Sequence, residues 1–255
     1  MADLPKNRFK AGIRSGTCQI GLWTSLPGTV PVELLSASGF DWLVLDTEHA
    51  PSDPLTVLPQ MQTMVAHHAS PVVRPAWNDK VLIKRFLDLG AQTLIVPYVQ
   101  TKEEAEAAVA AMRYPPRGIR GVAGGVRASL YGQVPDYLLR AEEELCLIVQ
   151  VETAEALSRL EEIAGVDGVD GVFIGPADLS ASMGHPGDMM HPEVVEAIEG
   201  GIRRLVEMDV PAGILTGGDF ARRCIELGAR FVAVGSDAGL LSKAAYGLAT
   251  EFKQT

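Results

Sequence analysis

Short runs of apolar residues recur along the whole chain, separated by stretches with helical spacing. Eight of these runs predict strands, at residues 16–24, 40–47, 71–76, 93–97, 145–152, 169–175, 211–216 and 231–235. Residues 80–89, 102–112 and 192–198 repeat their apolar positions at the period of an α-helix. The strands are rich in β-branched residues and almost continuously hydrophobic, which is typical of a parallel sheet covered on both faces.

Eight strand-and-helix units in 255 residues predict an α/β protein with one domain over residues 1–255, a (β/α)8 TIM barrel. A doubly wound open sheet is the alternative, but no GxGxxG segment follows the first predicted strand. A long glycine-rich loop at 114–127 interrupts the alternation, and such loops are often functional. Its arginines are expected to meet an anionic substrate, a neighbouring subunit or solvent, and they are Arg117, Arg120 and Arg127.

Composition narrows the classes of function. The net charge is -10 and no run of lysine and arginine occurs, which argues against nucleic-acid and anionic-membrane partners. The first residues lack the apolar core of a signal peptide, and no segment reaches transmembrane length. Three widely spaced cysteines fit a reducing compartment, so a cytoplasmic location is expected.

Two carboxylates, Glu152 and Asp178, each follow an apolar strand. Each acid alone is more typical of a helix cap than of a metal ligand. In a barrel, however, the carboxyl ends of all strands form one rim, where active sites gather. The pair therefore suggests oxygen ligands for a hard divalent ion such as Mg2+ or Mn2+.

The same rim carries groups suited to acid–base and carboxylate chemistry. His49 suits proton transfer near neutral pH, with Asp46 or Asp88 to orient it. The alternative is a histidine with only a structural role. Arg74 suits a carboxylate or a developing oxyanion, or else belongs to a structural ion pair. Backbone amides near residues 175–177 suit a small carboxylate.

The positions of the lysines argue against a Schiff-base mechanism. None of the seven lysines lies in an apolar strand, where a Schiff-base mechanism would need one. Carbonyl chemistry at this rim is therefore expected to use a metal as Lewis acid.

These segments resemble the HpcH/HpaI aldolase family of metal-dependent, class II pyruvate aldolases, along nearly the whole chain. The resemblance is carried by Gly21-Leu22-Trp23, Phe40 to His49, Pro71 to Arg74, Pro115 to Gly121, Val149 to Thr153 and Gly171 to Ser180. It implies a TIM barrel, usually hexameric, whose C-terminal helix packs on a neighbouring subunit.

The resemblance also implies roles for individual residues. Glu152 and Asp178 match the ligands of the divalent metal, which is Mg2+, Mn2+ or Co2+. His49 matches the catalytic histidine, Asp88 its acidic partner and Asp46 an acid of the same water network, whereas Arg74 matches the arginine that stabilises the enolate. The residues expected to bind substrate are Gly175, Pro176 and Ala177 at the pyruvate carboxylate, Gln150, and Trp23 and Leu215 near the aldehyde.

The implied reaction is reversible cleavage of a 4-hydroxy-2-oxo acid into pyruvate, or a close 2-oxo acid, and an aldehyde. One alternative is a lyase for CoA thioesters of the citramalyl-CoA or malyl-CoA type, although no nucleotide motif is visible. The other is a non-catalytic barrel that binds small acids or serves as a scaffold.

Overall fold

The computed structural model describes residues 2–253, so Met1, Gln254 and Thr255 of the predicted domain lie outside the described residues. All eight predicted strands are present and form one closed parallel barrel, which confirms the TIM barrel. The strands are β1 (Gln19–Thr24), β2 (Trp42–Asp46), β3 (Ser70–Arg74), β4 (Thr93–Val96), β5 (Cys146–Val151), β6 (Gly171–Ile174), β7 (Ala212–Leu215) and β8 (Phe231–Ser236).

Helices surround the barrel, and the three helical patterns found in the sequence are confirmed. The helices are α1 (Arg8–Arg14), α2 (Thr29–Ser36), α3 (Pro54–Met64), α4 (Lys80–Asp88), α5 (Lys102–Met112), α6 (Tyr137–Arg140), α7 (Ala154–Ser158), α8 (Leu160–Ala164), α9 (Pro176–Ser182), α10 (Pro192–Glu207), α11 (Gly218–Glu226) and α12 (Asp237–Lys253). Within residues 2–253 no helix is both long and apolar enough to cross a membrane.

The barrel closes where β8 pairs with β1, in the register Gln19 to Phe231. We call the end with the strands' carboxyl termini the upper end and the opposite end the lower end. Helix α1 closes the lower end, because the ring of Phe9 packs edge-on against Trp42 and Phe231 at centroid distances of 5.5 and 5.6 Å. A Cβ at Gly213 would lie 1.9 Å from the ring of Phe231, so only glycine fits there.

Alternation along the strands carries polar side chains to the upper end of the interior. Val44, Val72 and Ile148 belong to the cluster that fills the barrel. Since side chains two residues apart share a face, Asp46, Arg74 and Gln150 point the same way, one layer higher. Apolar side chains therefore fill the core of the barrel, and polar side chains above them line a cavity at the upper end, which we call the chamber.

Candidate active site at the upper end

A buried ion pair between Arg74 and Asp46 forms the floor of the chamber. The guanidinium donates two hydrogen bonds, Nε to Oδ1 and Nη2 to Oδ2, both 2.8 Å long. Its Nη1 lies 2.8 Å from Oε2 of Glu48, and its carbon lies 4.7 Å from the Trp23 ring centroid. Burial alone would raise the pKa of Asp46, but the hydrogen bonds and charge of Arg74 lower it below its usual value. This fork holds Arg74 in one orientation.

Glu152 is a buried acid with an unusual proton affinity. Its Oε1 accepts a 2.7 Å hydrogen bond from the backbone N–H of Tyr98, and its Oε2 accepts one from Nε2 of Gln150. Burial raises its pKa to about 7, the two hydrogen bonds oppose that rise, and the charges of Asp178 and Glu48 add to it. A buried carboxylate whose pKa is raised this far is typical of a functional site.

The structure contradicts the helix-cap interpretation of both acids. Thr153, not Glu152, caps α7, because its hydroxyl oxygen accepts from the N–H of Ala156. The cap position of α9 is Gly175, and Asp178 lies exposed within the first turn of that helix. Neither carboxylate caps a helix, so both are available to bind a ligand.

The upper end has the features of a cation site. The charges of four carboxylates, those of Asp46, Glu48, Glu152 and Asp178, act on one another, and the only guanidinium that pairs with any of them among the described residues, that of Arg74, contacts Asp46 and Glu48. Among the described residues, the buried Oε1 of Gln150 has no hydrogen-bond donor, whereas Oε2 of Glu48 has the guanidinium of Arg74 beside it. An all-oxygen donor set with excess negative charge and one unsatisfied acceptor fits a hard divalent cation.

Gly175 keeps the space beside Glu152 open. A Cβ at this position would lie 2.8 Å from Oε2 of Glu152 and 3.2 Å from Nε2 of Gln150. The N–H of Gly175 already bonds the carbonyl of Val151 at 3.0 Å, and Pro176 has no N–H. Of residues 175–177 only Ala177 therefore retains an amide proton for a ligand, since the first N–H groups of a helix lack partners within it.

His49 lies at the mouth of the chamber with 69% of its side chain exposed. Its Nε2 is 3.8 Å from Oε1 of Glu48. The acid beside His49 is therefore Glu48 and not Asp46, because the carboxylate of Asp46 binds Arg74.

The structure does not bring Asp88 to His49 within one chain. Asp88 is the last residue of α4, which runs from the upper end back to the lower end. There its Oδ1 accepts a 2.8 Å hydrogen bond from Arg120. A partnership between Asp88 and His49 has no support from a single chain and stays a prediction.

The three arginines of the loop at 114–127 also lie near the lower end, because this loop follows α5 on its way back to β5. Arg117 pairs with Glu142 at 2.7 Å, Arg120 pairs with Asp88, and Arg127 donates to the carbonyl of Leu89 at 2.7 Å. They do not face the upper end of their own chain, so contact with its substrate is not supported. Contact with a neighbouring subunit stays a prediction.

Trp23 and Leu215 both pack in the interior of the barrel, and their place beside the aldehyde stays a prediction. Trp23 is buried at the upper end, and its ring packs on Phe173 at 5.3 Å between centroids as well as on Arg74. Leu215 packs against the same interior cluster from β7. Both supply apolar surface beside the charged groups.

Sequence reasoning missed two parts of the site. Glu48 contacts Arg74 and influences Glu152, and its spacing from Asp46, two residues along the same segment, was the available signal. Tyr98, with a left-handed φ of 55°, directs its N–H to Glu152 and stacks its ring on Trp77 at 5.6 Å. A backbone donor leaves no signal in residue type.

Comparisons with known proteins give matches over nearly the whole chain. The sequence profile of the HpcH/HpaI aldolase/citrate lyase family matches residues 19–244. The pyruvate aldolase of Rhizobium etli is 60% identical over 98% of this chain and 99% of its own. The hydroxypyruvate/pyruvate aldolase of Sagittula stellata is 54% identical over 95% and 96%. A solved HpcH/HpaI aldolase/citrate lyase family protein from Burkholderia cenocepacia J2315 superposes with a TM-score of 0.93 at 39% identity, over 97% and 100% of the two chains.

Proposed function

Because the chain belongs to the HpcH/HpaI aldolase/citrate lyase family, we propose that it is a metal-dependent, class II aldolase. It cleaves a 4-hydroxy-2-oxo acid into an aldehyde and pyruvate or a close 2-oxo acid, and it runs the reverse reaction. The observation that carries this proposal is the buried Glu152, with its pKa near 7, beside Asp178. The relatives from Rhizobium etli and Sagittula stellata, named as aldolases of pyruvate and hydroxypyruvate, support the donor class.

Glu152 and Asp178 would hold the cation, which is Mg2+, Mn2+ or Co2+ as expected for oxygen ligands. When bound, the cation supplies Lewis-acid polarisation of the substrate's 2-oxo group. The N–H of Tyr98 and the amide of Gln150 fix the orientation of the Glu152 carboxylate. The amide of Ala177 is the backbone donor left for the substrate carboxylate.

Arg74 stabilises negative charge on the oxygen of the departing 2-oxo acid. Its position is set in advance by Asp46 and Trp23, so it needs little reorganisation when charge develops. His49 accepts the proton of the 4-hydroxyl group as the C3–C4 bond breaks, and its exposure at the mouth allows exchange with solvent, from which the enolate carbon takes up the proton that completes pyruvate. Trp23 and Leu215 cover the aldehyde side with apolar surface.

Asp88 can serve His49 only across a subunit boundary, since it lies at the lower end of its own barrel. Helix α12 supports an oligomer, because it exposes large apolar side chains that a neighbouring chain would cover. These side chains are Leu240, Leu241, Tyr246 and Leu248. We propose that this helix packs on a second copy, in the hexamer that the resemblance implies.

The test is a screen of 4-hydroxy-2-oxo acids in which pyruvate release is followed through lactate dehydrogenase. The proposal expects release with Mg2+, Mn2+ or Co2+, none with excess EDTA, and none from the Glu152→Gln variant. The matched control is Glu155→Gln, which removes a 69% exposed carboxylate three residues away. Cleavage of CoA thioesters but not of free acids, or pyruvate release unaffected by EDTA, would contradict the proposal.

A further inference from the structure

We propose that His185, His191 and Glu193 form a second metal site, for a borderline transition-metal ion such as Zn2+. These residues lie in the segment that joins α9 to α10 and in the first turn of α10. None of them belongs to the chamber that holds Glu152 and Asp178. The site therefore stands independently of the proposed aldolase activity.

The three side chains already converge. One ligand atom from each lies within 4.8 Å of the others. The distance from Nε2 of His185 to Oε2 of Glu193 is 3.0 Å, and the two imidazole rings stack with centroids 3.5 Å apart. Two ligands at about 2.0–2.1 Å from a tetrahedral Zn2+ are about 3.3 Å apart. The observed N···O separation is thus close to one edge of that tetrahedron.

Capture of an ion requires one ring to leave the stack. Imidazole nitrogens bind a metal in the plane of the ring, and the two rings lie within 14° of parallel. His191 has the ring that can turn, because the only hydrogen bond of its imidazole among the described residues is a long one, which Nδ1 accepts from the N–H of Glu193 at 3.3 Å. Both rings are half-buried, so neither is enclosed by core packing.

The donor set separates this site from the one at the upper end. Two nitrogens and one carboxylate oxygen suit Zn2+, whereas the all-oxygen acids of the chamber suit Mg2+ or Mn2+. An ion pair between His185 and Glu193 accounts for one imidazole, and the other caps α10, but neither contact accounts for the stacking of the two rings. A cation bound by His185, His191 and Glu193 would be a common partner for both imidazoles and the carboxylate.

Local backbone structure shows what a bound ion would stabilise. The N–H of His185 bonds the carbonyl of Ser180 in α9 at 2.8 Å, and the N–H of Val195 in α10 bonds the carbonyl of His191 at 3.0 Å. His185 is thereby tied to the end of α9, and His191 and Glu193 to the start of α10. An ion between them joins the two helices.

The test titrates Zn2+ alone into the untagged full-length protein in excess Mg2+, with calorimetry and thermal melting as readouts. The wild type should bind one Zn2+ per chain under these conditions. A hundredfold excess over Kd should raise Tm by about 5–10 °C. The double variant His185→Ala, His191→Ala should weaken binding by more than about a hundredfold, and Glu193→Gln by at least about tenfold.

The matched control is the double variant His67→Ala, His68→Ala, which removes two histidines from another surface and should bind Zn2+ like the wild type. Circular dichroism and Tm without Zn2+ establish that the His185 and His191 variants are folded, and His185→Asn, His191→Asn is the second variant if they are not. Wild-type protein that binds no Zn2+ beside Mg2+ would overturn the proposal. So would an unchanged Kd and Tm shift in the folded double variants.

Discussion

The barrel holds two buried arginines, one at each end, and their surroundings differ in charge. Arg74 lies on the Trp23 ring and Arg120 on the Tyr114 ring, at 4.7 and 4.4 Å from the ring centroids. Each also bonds a carboxylate. Arg74 nevertheless pairs with two acids, Asp46 and Glu48, whereas Arg120 forms one ion pair among the described residues, with Asp88.

This difference supports the proposal that Arg74 takes part in the reaction and that Arg120 has a structural role. At the lower end, Nε and Nη1 of Arg120 are buried without hydrogen-bond acceptors in the described part of the chain, so hydrogen-bond donors are in excess there. At the upper end an acceptor is in excess, since Oε1 of Gln150 has no donor among the described residues. A bound cation would therefore suit only the upper end. Under our proposal, the type of the unpaired groups, rather than the presence of a buried arginine, marks the metal site.

The largest expected effect comes from Glu152→Gln, which should lower metal-dependent cleavage by at least about a thousandfold, because Lewis-acid catalysis contributes several kcal/mol. The same change should stabilise the metal-free protein. A pKa raised to about 7 means that the folded state loses stability as pH rises from about 4.5 to 7. Above that range the cost is about 3 kcal/mol.

Thermal melts in EDTA at pH 8 measure this effect beside the Glu155→Gln control. A variant that melts below the wild type would show that Glu152 is a structural acid, and the contrast between the two ends would fail.

Arg74→Met should lower kcat/KM by about 10²–10³, the usual loss for one oxyanion donor. It should also lower the free energy of unfolding by about 3–5 kcal/mol, because Asp46 and Glu48 are left buried without their partner. Steady-state kinetics and urea denaturation give the two values. Proton exchange of pyruvate at the wild-type rate in this variant would exclude the assigned role.

Arg120→Met is the matched change at the lower end. Because the two ends are far apart, its Kd for Mg2+ should stay within about threefold of the wild-type value. An Arg120 variant that binds Mg2+ as poorly as Glu152→Gln would break the comparison.

A mixture of two inactive variants tests whether the lower end serves a neighbouring chain. His49→Ala and Asp88→Asn should each be nearly inactive alone if the two residues act together. Mixed oligomers should regain about a quarter of wild-type activity. With random assembly of the two variants, about a quarter of the sites receive an intact His49 from one chain and an intact Asp88 from its neighbour. Activity in Asp88→Asn alone, or no recovery on mixing, would leave Asp88 with only its structural pairing to Arg120.

The smallest effect concerns pH. The proton on Glu152 must leave before a cation binds, so affinity for Mg2+ should fall by about tenfold per pH unit below about 7. Calorimetry in buffers of different ionisation enthalpy measures the proton released. Affinity that is constant from pH 8 to 5.5 would mean that Glu152 is ionised without the cation.

The barrel could be predicted from sequence because its strands are buried on both faces and its helices have a distinct period. Helix α10, however, continues to Glu207, well beyond the predicted 198. Glycines at 200 and 201 hide the continuation of the pattern, although Gly201 packs close to the side chains of Ile174 and Leu157.

Strand alternation and the shared rim made Glu152, Asp46 and Arg74 predictable as neighbours. Asp88 ends α4, and the helix after each strand of a barrel runs back to the lower end, so its distance from the upper end of its own chain follows from the predicted fold. The N–H of Tyr98 could not be predicted, because it depends on a left-handed φ at a residue that is not glycine.

The most direct test of the central claim is anomalous scattering from crystals soaked with Mn2+ and pyruvate. A single strong peak between the carboxylates of Glu152 and Asp178, with the 2-oxo acid beside it and Arg74 at its oxygen, is the predicted result. Chamber carboxylates with no Mn2+ peak between them, or pyruvate bound away from Arg74, would contradict the account.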